Sequence, residues 1–192
     1  MDRCGSWSNL ELVYQLGGTL IRPVGADDLE STRRWRSDPL ISGPALGRRF
    51  PTTDAGERAW FEHLNEGAFP THVVWAVADS ESSIVGLVRL TDINWIHRTS
   101  SFGVWIGPEH WGQGHASRAT QLACDRGFLD LGLRQIRLSV VSGEQAALAV
   151  YKRNGFIDEG VQRGAVLLDG IPTDLILMVL SSDVWSRLHG ER

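Results

Sequence analysis

The stretch VWIGPEHWGQGHASRA, residues 104–119, decides how this chain folds. It begins in a β-branched and aromatic run that reads as the end of a strand and finishes in a helical pattern. Between the two lie Gly112 and Gly114. A helix N-terminus presents unpaired backbone N–H groups and a partial positive charge, so a strand-to-helix turn without side chains suits an anionic group such as a phosphate. A glycine pair in a turn also serves plain backbone geometry, and the flanking segments must separate the two uses.

Upstream lie the runs HVVWAVA, IVGLVRLT and SFGVWIG, separated by DSESS and NWIHRT, which read as three strands of an antiparallel meander. Downstream, a helix is expected from about Ala116 to Leu131, with Ala116, Ala119, Ala123 and Gly127 forming a stripe of small residues that can lie close on a sheet. RQIRLSVV then places Ile136, Leu138 and Val140 on one face, the period of a strand. Strand, helix and strand in that order make SFGVWIG and RQIRLSVV parallel neighbours, so the sheet is mixed. A short helix follows in EQAALAVYKRNGF and leaves at Asn154-Gly155, and Asp169-Gly170 joins the last two strands in a tight hairpin.

On the N-terminal side TLIRPV reads as a strand. Asp27 with Glu30, and Asp54 with Glu57, carry the spacing of a capping box at the start of two helices, the first ended by Pro39 and the second near Gly67. Trp60, Phe61 and Leu64 fall on the inner face of the second. The expected organisation is an N-terminal arm over residues 1–17, a single α+β domain over 18–182 and a C-terminal tail over 183–192.

The chain has 192 residues, 42% apolar and 22% charged, with a formal net charge of −4, which fits one folded domain and argues against a broad basic surface for nucleic acid. The longest aliphatic run, LILMVL, is too short to span a bilayer, and the N-terminal residues lack the apolar core of a signal peptide. A cytoplasmic protein is expected, with no membrane partner. Cys4 and Cys124 are the only cysteines and form no CxxC, so neither a disulfide framework nor a metal site is expected.

Two phosphate-binding patterns can be tested against the glycines. A P-loop needs Gly-Lys-Ser/Thr, and here the chain has GHAS. A dinucleotide site needs a small residue at Ser117 and an acid after the next strand, which Glu144 supplies, but the turn follows a meander instead of opening a βαβ unit. The block SFGVWIGPEHWGQGHASRA, RQIRLSVV and AVYKRNGF instead resembles the acetyl-CoA-binding half of the GNAT superfamily of N-acetyltransferases. TLIRPVGADDLE, RRWRSDP and GLVRLTDINWIHR are similar to its ribosomal-protein N-terminal and spermidine acetyltransferase subgroup.

The resemblance implies a mostly antiparallel sheet with helices on both faces, and a parallel strand pair splayed where acetyl-CoA binds. Its pyrophosphate motif falls on Trp111, Gly112, Gln113, Gly114, His115 and Ala116, with Ser117 next; Trp111 replaces the usual Gln or Arg. The pantetheine arm is implied to pair with the backbone of Val104, Trp105 and Ile106, with Trp105 as a wall of the groove. Tyr151 takes the position of the general acid that protonates the departing thiolate. Glu144 stands where the family often has an asparagine, and Ser101 where the spermidine enzymes tend to have a glutamate.

A lysine-type amine, pKa near 10.4, is almost all ammonium at pH 7, and reaching the free base costs roughly 4.6 kcal/mol at about 1.36 kcal/mol per pH unit. With Ser101 unable to act as the base unaided, Asp92 is the preferred residue, ahead of His97, Glu109 and His110. The acceptor stays open among a polyamine, an amino sugar or antibiotic, and a protein N-terminus. Arg48 and Arg49 occupy a region where acids would gather around a polycation. A homodimer is compatible with the resemblance. The other readings are a non-catalytic CoA-binding module and a dinucleotide binder.

Overall fold

The computed structural model describes residues 13–42, 53–64 and 69–190. Of the expected arm, residues 1–12 lie outside them, whereas Tyr14–Leu16 form strand β1 and pair with β2 (Thr19–Arg22). β2 continues into the meander of β3 (Val73–Ala78), β4 (Ile84–Asn94) and β5 (Thr99–Ile106). β6 (Gln135–Val141), β7 (Ile157–Leu168) and β8 (Ile171–Ser181) complete one eight-stranded sheet in the order β1-β2-β3-β4-β5-β6-β8-β7. All neighbours are antiparallel except β5 and β6. Asp169 and Gly170, with φ of 49° and 82°, make the expected hairpin turn between β7 and β8.

The first two helices begin differently from the capping boxes their sequences offer. Ahead of α1 (Leu29–Arg36) the chain makes a 3-10 turn over Ala26–Asp28, and Asp28, not Asp27, accepts the Gly25 amide at 2.8 Å. Asp28 is buried because Arg22 of β2 binds both its oxygens at 2.7 and 2.9 Å, a partner a local sequence window cannot see. Pro39 opens the one-turn helix α2 (Pro39–Ser42), a use open to it because a first-turn N–H has no helical partner anyway. In α3 (Asp54–Glu62) the cap is Thr53, whose hydroxyl accepts the Gly56 amide at 3.1 Å. Glu57 is freed from capping and lies buried, accepting from Thr32 at 2.7 Å and 3.5 Å from the buried Arg36. Trp60 and Leu64 are half-buried on the second core, and Gly67 lies outside the described residues.

α4 (His115–Leu129) crosses from β5 to β6 on one face of the sheet. Ala119 and Ala123 are fully buried, and a Cβ on Gly127 would come within 2.9 Å of Ile136 Cδ1, so the stripe of small residues sets how closely the helix lies on the strands. With α5 (Gln145–Arg153) and α6 (Ser182–His189), α4 covers a core that includes Ile21, Val88, Leu90, Ile136, Leu138 and Met178. On the other face Trp35 and Ile41 pack on Val74, Ala76, Leu87 and Trp105. Among the described residues no helix is long and apolar enough to cross a membrane.

The stretch expected as a tail is helix α6 through His189. Its Trp185 is 3% exposed, lies against Phe128 with ring centroids 5.5 Å apart, and donates its indole N–H to buried Asp125 at 3.0 Å. Trp185→Ala should therefore cost about 3–5 kcal/mol, the usual range for emptying a buried tryptophan site. Denaturant unfolding measures it, and an unchanged midpoint would make α6 a dispensable appendage.

Candidate active site

β5 and β6 pair at only three positions, Thr99 with Gln135, Ser100 with Ile136 and Ser101 with Arg137. Beyond Ser101 the strands part. β5 stays paired with β4 as far as Ile106 and β6 stays paired with β8 as far as Val141, so each continues with one edge facing the gap. The gap opens into a cleft of about 1010 Å³ whose walls include Val104, Trp105 and Ile106 from β5, the turn before α4, and α5.

The α4 turn has the geometry the glycines promised. Gly112 and Gly114 have φ of 76° and 80°, the left-handed region that side chains avoid, and a Cβ on Gly112 would meet nothing within 4 Å. The first bond of α4 runs from the Arg118 amide to the Gly114 carbonyl at 3.2 Å, leaving the amides of His115, Ala116 and Ser117 without partners inside the helix. Gly112, Gly114, His115, Ala116 and Ser117 all lie on the cleft wall. Gln113 does not: its carbonyl accepts from Arg118 Nη2 at 2.6 Å, so its part is to hold the turn. Trp111, at the position of the usual Gln or Arg, donates its indole N–H to the Ile106 carbonyl at 2.7 Å and ties the turn to the end of β5.

Two contacts around this turn were not legible in the motif. His115 is buried with Nδ1 2.9 Å from the Thr19 hydroxyl, which also accepts from Arg118 Nε at 2.7 Å. Burial first, and then the charges of Arg118 and His110, push the His115 pKa below its ordinary value, so the ring is neutral at pH 7. On the other side Asn154 Nδ2 donates to Ser117 Oγ at 3.1 Å and links α5 to the start of α4.

Tyr151 lies on α5 where this helix faces the cleft, with its ring edge-on to Phe102 at 6.1 Å and to Phe156 at 5.9 Å. Burial pushes its pKa up to about 12, so the phenol keeps its proton across the neutral range. Asp92 also lines the cleft, at a break in the β4–β5 register, with φ of 52° and an oxygen 3.2 Å from the Thr91 hydroxyl. Thr91 pairs with Ser101. Ser101 and Phe102 are thus the last joined and first parted residues of β5; Thr91, the chain neighbour of Asp92, pairs with the first, and the Tyr151 ring packs on the second.

The alternative bases separate by position. His97 sits in an exposed turn, its amide bonded to Asn94 at 2.8 Å, and is not on the cleft wall. Glu109 also points elsewhere, bound by Arg34 and by the Trp35 indole at 3.1 Å. Burial works to raise its pKa, but hydrogen bonds from its own backbone amide and Trp35, with the charges of Arg34 and His110, hold it below the usual carboxylate range. His110 lines the cleft with its ring edge-on to Trp35 at 6.3 Å. Glu144 lies on the wall at the start of α5. Arg48 and Arg49 lie outside the described residues. The cleft also contains side chains the motifs did not single out: Arg89, and Arg137 held by Glu159 at 3.0 to 3.2 Å. Their signal was a charged residue on the outward period of an otherwise apolar strand.

A side chain on Gly114 would have to accept a left-handed backbone and place its Cβ 2.7 Å from Arg118 Nη1. Gly114→Val should weaken acetyl-CoA binding by about tenfold or more, given roughly 1–2 kcal/mol for the left-handed strain alone. Calorimetric titration of the folded variant checks this, and a parental Kd would remove the turn from the binding site.

Comparison with known proteins places the chain in a family. The acetyltransferase (GNAT) domain family matches residues 19–157. Spermidine N(1)-acetyltransferase of Vibrio cholerae is 34% identical over 140 residues, 73% of this chain and 79% of that protein. The enzyme of the same name from Escherichia coli K12 is 35% identical over 104 residues, 54% of this chain and 56% of its own length. The crystal structure of spermidine N-acetyltransferase from Vibrio cholerae in complex with CoA and spermine matches with a TM-score of 0.80 at 26% identity, over 88% of this chain and 98% of that one. The chain thus belongs to the acetyltransferase (GNAT) family and is an N-acetyltransferase that uses acetyl-CoA.

Proposed function

We propose that this protein acetylates the primary amine of a small molecule by direct attack in the cleft, and that it works in the cytoplasm. The observation that carries this reading is the cleft that opens where β5 leaves β6, with the Tyr151 ring packed on Phe102 at the parting and Asp92 on the same cleft wall. The free amides of His115, Ala116 and Ser117 suit the pyrophosphate, and the open edge of β5 from Val104 to Ile106 suits the amide-bearing arm. When bound, acetyl-CoA supplies the acyl group on a thioester, whose C–S bond breaks as the amine nitrogen makes its new C–N bond.

Each residue then has a task its environment favours. Tyr151, protonated up to a pKa of about 12, can give a proton to a departing thiolate and cannot serve as a base at neutral pH. Asp92 holds the acceptor ammonium as its counter-charge and orients the water that takes the proton as the amine becomes nucleophilic. Ser101 adds a hydroxyl to the same cleft wall. The named substrate of the Vibrio relative is spermidine, and amines of that kind, amino sugars and amine-bearing antibiotics are acceptors within the same chemistry. Ser101 at the glutamate position favours the second reading, a module that binds CoA without turnover, and acetyl transfer to any amine in a panel rejects it.

Tyr151→Phe keeps the ring packing on Phe102 and removes the proton donor. With general acid help worth about 10² to 10⁴ in rate, kcat should fall by that range while acetyl-CoA affinity stays within about twofold. An unchanged kcat with chemistry rate-limiting would remove the role. Because the phenol titrates only near pH 12, kcat/KM should rise with pH to the pKa of the acceptor amine and then level, with no alkaline fall from this group below about pH 11.

Asp92→Asn is accommodated by the left-handed backbone, which asparagine tolerates. It should lower kcat/KM by about tenfold or more below the amine pKa, an effect on the order of a lost charged hydrogen bond, and leave acetyl-CoA binding alone. A pH profile of kcat/KM superimposable on the parent's would leave Asp92 as a residue of the strand bulge.

A further inference from the structure

α4 and α5 both wall the cleft, the first with the turn and its free amides, the second with Tyr151. Asn154, the C-cap of α5, reaches from one helix to the other. It is 7% exposed, and its side-chain nitrogen lies 2.9 Å from the Val150 carbonyl oxygen and 3.1 Å from Ser117 Oγ.

These two contacts fix the direction of each hydrogen bond. An asparagine amide ends in an oxygen that only accepts and a nitrogen that only donates. The Val150 carbonyl also only accepts, so the atom against it has to be the nitrogen; with the amide turned over, two oxygens would stand 2.9 Å apart. Once the nitrogen is placed there, its second hydrogen goes to Ser117 Oγ. Ser117 accepts at this contact, and its own hydrogen must point elsewhere. A helix hydroxyl can turn back to the carbonyl four residues earlier, as Thr120 does to Ala116 at 2.7 Å. For Ser117 that carbonyl belongs to Gln113 and accepts from Arg118 Nη2 instead, at 2.6 Å. Among the described residues no group accepts the Ser117 hydrogen.

Ser117 is the third residue of α4, half-buried and on the cleft wall. Its hydroxyl shares the first turn of the helix with the amides of His115, Ala116 and Ser117, the three without partners inside it. A group that binds such amides is an anion, and a diphosphate presents more acceptor oxygens than three amides exhaust. A hydroxyl whose oxygen is already occupied has its hydrogen left to give, which is the complement of those oxygens.

We infer that Asn154 is a positioning residue for the cofactor: by occupying the Ser117 oxygen it turns the Ser117 hydrogen to the cleft, where the hydroxyl becomes a further donor to the diphosphate of acetyl-CoA. This rests on the α4 turn being the diphosphate site. Ser117 touches the cofactor and Asn154 acts through it. Because Asn154 stands three residues after Tyr151, the same bond ties the helix that carries the proton donor to the anchored end of the cofactor.

Calorimetric titration with acetyl-CoA tests this, on variants shown to be folded by their denaturation midpoints. Ser117→Ala should raise Kd about tenfold, the scale of one hydrogen bond to a charged group, and Ser117→Thr, which keeps the hydroxyl, should stay within about threefold of the parent. Asn154→Ala should raise Kd about three- to tenfold in the parent but less than about twofold when Ser117 is already alanine. Asn154→Asp is equal in size but offers only acceptors; it would draw the Ser117 hydrogen to itself and set a negative charge beside the anion, so its loss should exceed that of Asn154→Ala. A residue that merely braced the two helices would weaken binding as much without the Ser117 hydroxyl as with it. Additive losses in the double variant, or a parental Kd for Asn154→Ala, would therefore overturn the positioning role. A parental Kd for Ser117→Ala beside a weakened Gly114→Val would overturn the inference and leave the turn as the diphosphate site, whereas parental values for both would reject the site as well.

Discussion

A parallel strand pair that separates after three residues is the constraint from which the rest of this molecule follows. Backbone N–H and C=O groups need partners, and a sheet normally supplies them on both sides of an interior strand. Here β5 is interior by position but has an open edge from Phe102 onward, because β6 stays with β8 and diverges. Holding the strands apart requires filler on one face and anchorage at the far ends. Phe102, Tyr151 and Phe156 supply the first as a cluster of three rings about 6 Å apart. The second comes from Trp111 bound to the Ile106 carbonyl and from the helices beyond β6.

The separation also gives the two faces of the sheet different work. On the face under α4, packing is apolar and close, and the polar groups that remain sit at the helix end, where Thr19, Arg118 and Asn154 fix the turn and its neighbour. On the opposite face the outward side chains of β4, β5 and β6 change along the sheet from Leu87 and Trp105 to Arg89, Thr91, Ser101 and Arg137. An apolar patch covered by α1 to α3 thus passes into a polar floor beside the parted strands. The strand edge and the α4 turn thus offer backbone to the cleft, and the opposite face offers side chains.

The architecture was legible because it is written in short-range patterns. Period-two runs, the small residues of α4 and the Asp169-Gly170 turn each specify their own element, and the strand–helix–strand order specifies the parallel pair. The uses proposed for the glycine turn and for Tyr151 came through resemblance to a family, since neither a GxG nor a helix tyrosine says by itself what it serves. The helix starts at Asp28 and Thr53 were misread because their outcome depends on partners distant in sequence: Arg22 draws Asp28 inward, and Arg36 and Thr32 claim Glu57. The same limit hid Arg89, which looks like an ordinary outward residue of β4 until Gly103 on the next strand is seen to make room for it.

The bare stripe along α4 has a consequence for how cheaply the site works. With Ala119 and Ala123 fully buried and Gly127 seated against Ile136, the helix has no long side chains between its backbone and the sheet to act as a compliant layer, so it cannot slide or roll without hard collision. Its N-terminal amides are therefore aimed before any anion arrives. The conformational entropy of aligning them was lost when the chain folded, and an anion docking on them, as proposed above, would meet a rigid receptor instead of ordering one, so that more of its intrinsic attraction would appear as affinity.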